Sequence, residues 1–166
     1  MDATSLDEYT NRYSNKWAQL EDFQYGPGWQ NKGKQGDTEV AVRMQGGVIA
    51  AKGTILIQAH IPKIFGGLVQ RFSARKQWDE HIVEMFITDE QFPFYRDSYS
   101  RVSVGVPGLA DRDVVVRALN RPIMKGPENG GFEAVAWGLS PEEMGPQDAS
   151  RKTAARGAVR AGYKGG

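Results

Sequence analysis

Two charged segments hold the side chains best suited to chemistry, and each stands just before a predicted strand. Residues 78–79 are Trp-Asp and precede an alternating apolar run at 83–87, while 111–113 are Asp-Arg-Asp and precede a second run at 114–119. The carboxylates of Asp111 and Asp113 could serve as general acid and base, but the guanidinium of Arg112 between them favours their ionised form. Arg112 therefore has two open interpretations, an ion pair with a neighbouring carboxylate or a contact with the polar group of a ligand.

Other catalytic and metal-binding patterns are missing from the sequence. There is no cysteine, so disulfides, thiol catalysis and cysteine-ligated metals are excluded. His60 and His81 stand 21 residues apart without a motif of acidic ligands around them, and neither a G-x-S-x-G nor a P-loop pattern occurs. We therefore expect a protein that is not an enzyme and that has no metal site and no cofactor.

The elements that must position these residues follow from hydrophobic periodicity. An N-terminal helix is predicted over 4–22, where apolar side chains recur at helical spacing, and a second helix begins near Pro62. Residues 31–37 are polar and rich in glycine, which predicts a loop. Period-two alternation predicts six strands, at 38–45, 48–61, 83–87, 95–104, 114–119 and 131–139. This order indicates an α+β protein with an antiparallel sheet.

Composition indicates a globular protein of one main domain. The chain has 166 residues, of which 40% are hydrophobic and 25% charged. No apolar run approaches the roughly 20 residues of a membrane-spanning helix. The polar, acidic N-terminus differs from a secretory signal, so we expect a cytoplasmic location.

The C-terminal segment differs from the rest in composition. Residues 145–166 are rich in Gly and Ala and carry a net charge of +4, although the whole chain carries only +1. We predict a domain over 1–144 and a mobile basic tail over 145–166. Such a tail could make transient contact with an anionic membrane. The main body has no basic surface pattern for nucleic acid, so no nucleic-acid partner is expected.

Three segments together resemble a known family. "RKQWDEHIVEMFI" at 75–87 is similar to the tryptophan-aspartate segment of START domains, the steroidogenic-acute-regulatory-related lipid-transfer modules. "GLADRDVVVRAL" at 108–119 resembles their arginine-aspartate segment, and "GGFEAVAWGLS" at 130–140 resembles the strand that follows it. The resemblance extends from about residue 5 to residue 140.

The resemblance implies a helix-grip fold, in which an antiparallel sheet curls around a long C-terminal helix. The cavity between them holds one sterol, phospholipid or similar apolar ligand, so the implied function is lipid binding, for transfer or for sensing. It also implies that Trp78 packs at the edge of the fold, with Asp79 as a local hydrogen-bond acceptor. The residues implied to contact lipid are Met85, Tyr99, Arg112, Arg117 and Trp137.

This sequence departs from the family pattern in two places. The acidic partner of a pocket arginine is not at the usual position, so Asp97 or Tyr99 would have to take that role. The long C-terminal helix also has no counterpart after Leu139. Without it, we expect an uncovered apolar face and a tendency to self-associate.

Two other functions remain open at this point. One is an enzyme of the helix-grip superfamily, such as an aromatic cyclase, which would need a polar cluster deep in the pocket. The other is an interaction protein that uses its basic tail on a membrane or a nucleic acid.

Overall fold

The computed structural model describes residues 7–8, 11–67, 71–91, 95–123, 130–144 and 158–160. The chain divides after Ala59 into an N-terminal unit and a C-terminal unit that begins at His60. Each unit contains its own sheet. In the described residues, no helix is long and apolar enough to cross a membrane.

The described part of the N-terminal unit contains helix α1 (Ser14–Tyr25), further helical residues before it at 7–8 and 11–12, and a three-stranded antiparallel sheet. Helix α1 buries Trp17, as the helical apolar stripe predicted. The strands are β1 (Gln30–Gln35), β2 (Thr38–Gln45) and β3 (Val48–Thr54), and β2 lies in the middle.

The prediction of a polar loop over residues 31–37 was wrong. Strand β1 occupies most of this segment, and every one of its residues is exposed. Hydrophobic alternation detects a strand only when one of its faces is buried, so an exposed edge strand gives no such signal. Its structure depends instead on backbone pairing with β2, after a turn at Gly36 with a positive φ of 61°.

The strand predicted over 48–61 is shorter than expected. Strand β3 ends at Thr54, and the segment from Ile55 to His60 has no regular secondary structure. The alternating isoleucines after Thr54 are exposed rather than part of a buried face. Alternation alone therefore did not mark the end of this strand.

The C-terminal unit is built on a five-stranded sheet. It begins with the short helix α2 (Ile61–Phe65) and a 3-10 helix (Phe72–Gln77). The antiparallel strands β4 (Ile82–Gln91), β5 (Tyr95–Val102), β6 (Asp111–Pro122) and β7 (Phe132–Gly138) follow in spatial order. Strand β8 (Ala158–Arg160) pairs in parallel with the first residues of β6. The predicted α+β class and antiparallel sheet are confirmed.

Strand register separates the side chains of this sheet into two faces, because directly paired residues point to the same side. We call one side the network face; it carries Phe86, Tyr95, Asp97, Tyr99, Asp113, Val115, Arg117, Leu119 and Trp137. We call the other the cavity face; it carries Met85, Ser98, Ser100, Arg112, Val114, Asn120, Phe132 and Ala134. The first six residues of β5 are buried on both faces, so β5 lies at the core of this unit.

The predicted absence of a long C-terminal helix agrees with the residues that the structure describes after β7. In the parts of the chain described after β7, residues 139–144 and 158–160, β8 is the only helix or strand. Most of the predicted tail lies outside the described residues.

Candidate binding site

The network face has an ion pair at its centre. Arg117 on β6 lies directly opposite Asp97 on β5. Its Nε donates to Asp97 Oδ1 at 2.9 Å and its Nη2 to Oδ2 at 2.6 Å, a two-point contact between a planar guanidinium and a carboxylate. The Asp97 side chain is fully buried. Asp97, one of the two residues named from sequence for this role, is therefore the partner of Arg117.

Tyr95 completes this network from the same face of β5. Its hydroxyl donates to Asp97 Oδ2 at 2.7 Å and accepts from Arg117 Nη2 at 2.9 Å. Burial raises the pKa of the Tyr95 phenol far above its ordinary value, and the hydrogen bond to Asp97 raises this pKa further. The phenol therefore remains a neutral donor across the physiological pH range.

A second buried contact lies farther along the same face. The Tyr99 hydroxyl donates to Asp113 Oδ2 at 3.3 Å, and both side chains are fully buried. The Tyr99 ring also packs on Phe86, with ring centroids 5.1 Å apart. Trp137 is buried and pairs with Arg117 across β6 and β7. Tyr99, Arg117 and Trp137, three of the predicted lipid contacts, thus share one face.

The other two predicted contacts lie on the opposite face. Met85 pairs with Ser100, and Arg112 pairs with Val102, which places both on the cavity face. The five residues therefore do not form one cluster. A sequence cannot reveal this division, because the face of each side chain depends on the register of every strand and on the bulges within β4.

Arg112 makes local contacts with the backbone. Its Nη1 donates to the carbonyl oxygen of Ala110 at 2.7 Å and to that of Asp111 at 3.4 Å. Asp111 is instead paired with Arg101, whose Nη2 lies 2.7 Å from its Oδ2. The two carboxylates beside Arg112 thus have partners on β5, Arg101 and Tyr99, and the ion pair considered for Arg112 is not among the described contacts.

The position of Trp78 differs from the sequence prediction. It was expected to be packed, but 65% of it is exposed, and it lies beside the guanidinium of Arg75. Asp79 is the local acceptor that was expected, because it accepts from Arg75 Nε and from the backbone N–H of His81. Asp79 therefore links the 3-10 helix to the residue that precedes β4 through hydrogen bonds.

The cavity face contains an apolar cavity beside helix α2, with a volume of about 340 Å³. Phe65 of α2 stacks on Phe132 of β7 at a centroid distance of 4.2 Å. The buried amide of Asn120 supplies a polar group. The lining consists of Ile61, Ile64, Phe65, Asn120, Gly131, Phe132, Glu133 and Ala134.

None of the five predicted lipid contacts is among these lining residues. Helical spacing of Ile61, Ile64 and Phe65 is a sequence signal for one wall of the cavity. The opposite wall combines β6 and β7, which are brought together only by their pairing. Sequence reasoning therefore predicted an apolar cavity but missed the residues that line this one.

The described residues include no group of three or more His, Asp or Glu side chains that could hold a metal ion. On the network face, Asp97 and Asp111 are paired with arginines, and Asp113 accepts from Tyr99. The arrangement is therefore suited to stabilising a sheet that carries a binding cavity.

Comparisons with known proteins identify the fold. No family model matches the sequence, and no curated protein matches it. Among solved structures, a STAR-related lipid transfer protein from Xanthomonas axonopodis matches with a TM-score of 0.62 and 18% identity. That match covers 81% of this chain and 68% of the other.

Two human structures are similar to the same extent. STARD10 matches with a TM-score of 0.67 and 15% identity, covering 89% of this chain and 56% of that one. StAR-related lipid transfer protein 5 matches with a TM-score of 0.65 and 16% identity, covering 96% of this chain and 71% of that one. The chain therefore has a START-like fold, and its described part has no C-terminal helix.

Proposed function

We propose that this protein is a lipid-binding module that holds one apolar ligand, a sterol or similar lipid, on the sheet of its C-terminal unit. The observation that carries the proposal is the apolar cavity of about 340 Å³ between α2 and strands β6 and β7. The START-like fold supports it, since the similar solved structures are described as lipid transfer proteins.

The chemistry of the cavity lining suits such a ligand. Small-molecule sites are concave and mostly apolar, with a few polar groups that fix orientation, and span roughly 300–1,000 Å³. The stacked rings of Phe65 and Phe132 supply aromatic surface, and Asn120 supplies the polar group. This volume lies near the lower end of that range, so it favours a compact ligand or part of a larger one.

The network face supports a binding role without catalysis. An aromatic cyclase would need acid and base groups that face its substrate. Here Asp97 is held by Arg117 and Tyr95, and Asp113 accepts from Tyr99, on the side of the sheet opposite the cavity. We propose that these contacts fix the strands that form the cavity wall.

Lipid contact by Met85, Tyr99, Arg112, Arg117 and Trp137 remains a prediction. Two of these residues share the cavity face, and a ligand longer than the cavity could extend along it toward Met85. We also propose that the basic tail assists transfer by transient contact with anionic membranes, in a cytoplasmic setting. Photo-crosslinking lipids that label Met85 or Arg112, but not Tyr99, would define this extension.

The experiment is mass spectrometry of lipids that copurify with the protein and with two matched variants. Ala134→Trp places a large side chain in the cavity. Ala136→Trp makes the same change two residues along β7, on the same face and at a position that is also exposed but lies outside the lining. We expect a retained lipid class that Ala134→Trp removes and Ala136→Trp leaves. Equal retention by both variants would contradict the proposal.

A further inference from the structure

Charge distribution around the cavity restricts the chemistry of its ligand. Among the described lining residues, Glu133 alone is charged, and its charge is negative. Arg121 holds this carboxylate, with Nε 2.7 Å from Oε2. Register places the Arg121–Glu133 pair on the network face, so the Glu133 side chain points away from the cavity face.

No cation is present in the described lining to neutralise an anionic head group. Lys63 belongs to α2, but it is exposed and is not a lining residue. A carboxylate or phosphate placed against the buried Asn120 would lose part of its hydration without gaining a counter-charge, which is unfavourable. The cavity therefore discriminates against anionic lipids.

Asn120 offers a neutral alternative. Asn120 is 7% exposed, and its side chain lies on the cavity face, opposite Ala134. A carboxamide has both donors and an acceptor, so it can bond a hydroxyl or a carbonyl group in addition to its contacts within the protein. An uncharged oxygen bound at this point needs no counter-ion.

We propose that the cavity selects a neutral apolar ligand with one hydroxyl or carbonyl group, which bonds to the Asn120 amide, and that it rejects anionic amphiphiles. This inference rests on the proposed function, because it names the class of ligand held by the same cavity. The probes are decan-1-ol and decanoate at neutral pH, which share chain length and differ in charge. Binding of each is measured by calorimetry below its aggregation concentration.

The wild-type protein should bind decan-1-ol at least about tenfold more tightly than decanoate. Asn120→Leu should weaken decan-1-ol binding by roughly 2- to 10-fold, the usual effect of one lost hydrogen bond. Since Asn120 is buried, that variant could also disturb folding. Ala134→Lys, at an exposed lining position, provides an independent test.

Ala134→Lys should shift the affinity ratio toward decanoate by about tenfold, because it adds the missing cation. Ala136→Lys, outside the cavity, should leave the ratio unchanged. Wild-type preference for decanoate, or equal ratios in the two lysine variants, would overturn the inference and leave the proposed function intact. Binding of neither probe to the wild-type protein would overturn the proposed function, and the inference with it.

Discussion

At the residue scale, the Asp97–Arg117 pair is the most consequential contact of the C-terminal unit. Arg117→Met should lower the free energy of unfolding by about 3–5 kcal/mol, because it leaves a fully buried carboxylate without its guanidinium. Arg112→Met on the same strand is the matched control, since Arg112 contacts only backbone carbonyls among the described interactions. Its effect should stay within about 0.5 kcal/mol. Chemical denaturation measures both, and equal losses would contradict the burial argument.

Tyr95 should make stability dependent on pH at the alkaline end. Its pKa is raised above the ordinary value of 10.0, so the folded state retains a proton that the unfolded state releases above that pH. The stabilisation is fully present below pH 10 and declines as pH rises beyond it. The difference in unfolding free energy between wild type and Tyr95→Phe should therefore be constant from pH 7 to about 9.5 and shrink above about pH 10. A constant difference up to pH 11 would show that Tyr95 titrates normally.

Residue types were easier to predict than their surroundings. The family resemblance named Arg117 as a lipid contact and offered Asp97 or Tyr99 as the partner of a pocket arginine. It could not show that Arg112 contacts carbonyls or that Trp78 is exposed. Both outcomes depend on neighbours that are distant in sequence.

At the element scale, the β2–β3 hairpin depends on the conformation of its turn. Gly46 and Gly47 both have positive φ, 57° and 81°, the pattern of a tight two-residue turn between twisted strands. Gly46→Val should destabilise the protein by about 1–2 kcal/mol through backbone strain alone, because a Cβ at Gly46 would meet no other atom within 4 Å.

Gly46→Asn is the matched control, because Asn tolerates this conformation. It should retain most of the stability in thermal melts. Equal losses in the two variants would contradict the strain argument.

Most strands were predictable, and the errors at β1 and at the end of β3 have one cause. Strands β2, β4, β5, β6 and β7 overlap the predicted segments because each has a face that packs in its sheet. Strand β1 has no buried face, and the isoleucines after β3 alternate without burial. Alternating apolar residues show only that one face of a strand can be buried. Whether that face is buried depends on what packs against it in the tertiary structure.

At the scale of the whole molecule, large apolar side chains are exposed in the N-terminal unit. Leu56 is 86% exposed, and Ile49 is 73% exposed near the tip of the β2–β3 hairpin. We expect the protein to bind dyes that detect apolar surface and to scatter light increasingly with concentration.

Ile49→Lys should reduce both signals, whereas Thr54→Lys, at an exposed polar position on the same strand, should not. A wild-type protein that is monomeric and does not bind the dye would contradict the expectation of self-association.

The parallel pairing of β8 with β6 has a consequence for synthesis on the ribosome. Residues 158–160 are translated only after all of β7, although they pair with residues 111–113. The nascent chain can assemble β4 to β7 first, because N-terminal segments are available earlier. During that interval the first residues of β6 present a short open strand edge on the side later occupied by β8, and such edges can pair with other extended segments. The speed of translation between β7 and β8 therefore sets how long a growing chain is open to mispairing with its neighbours.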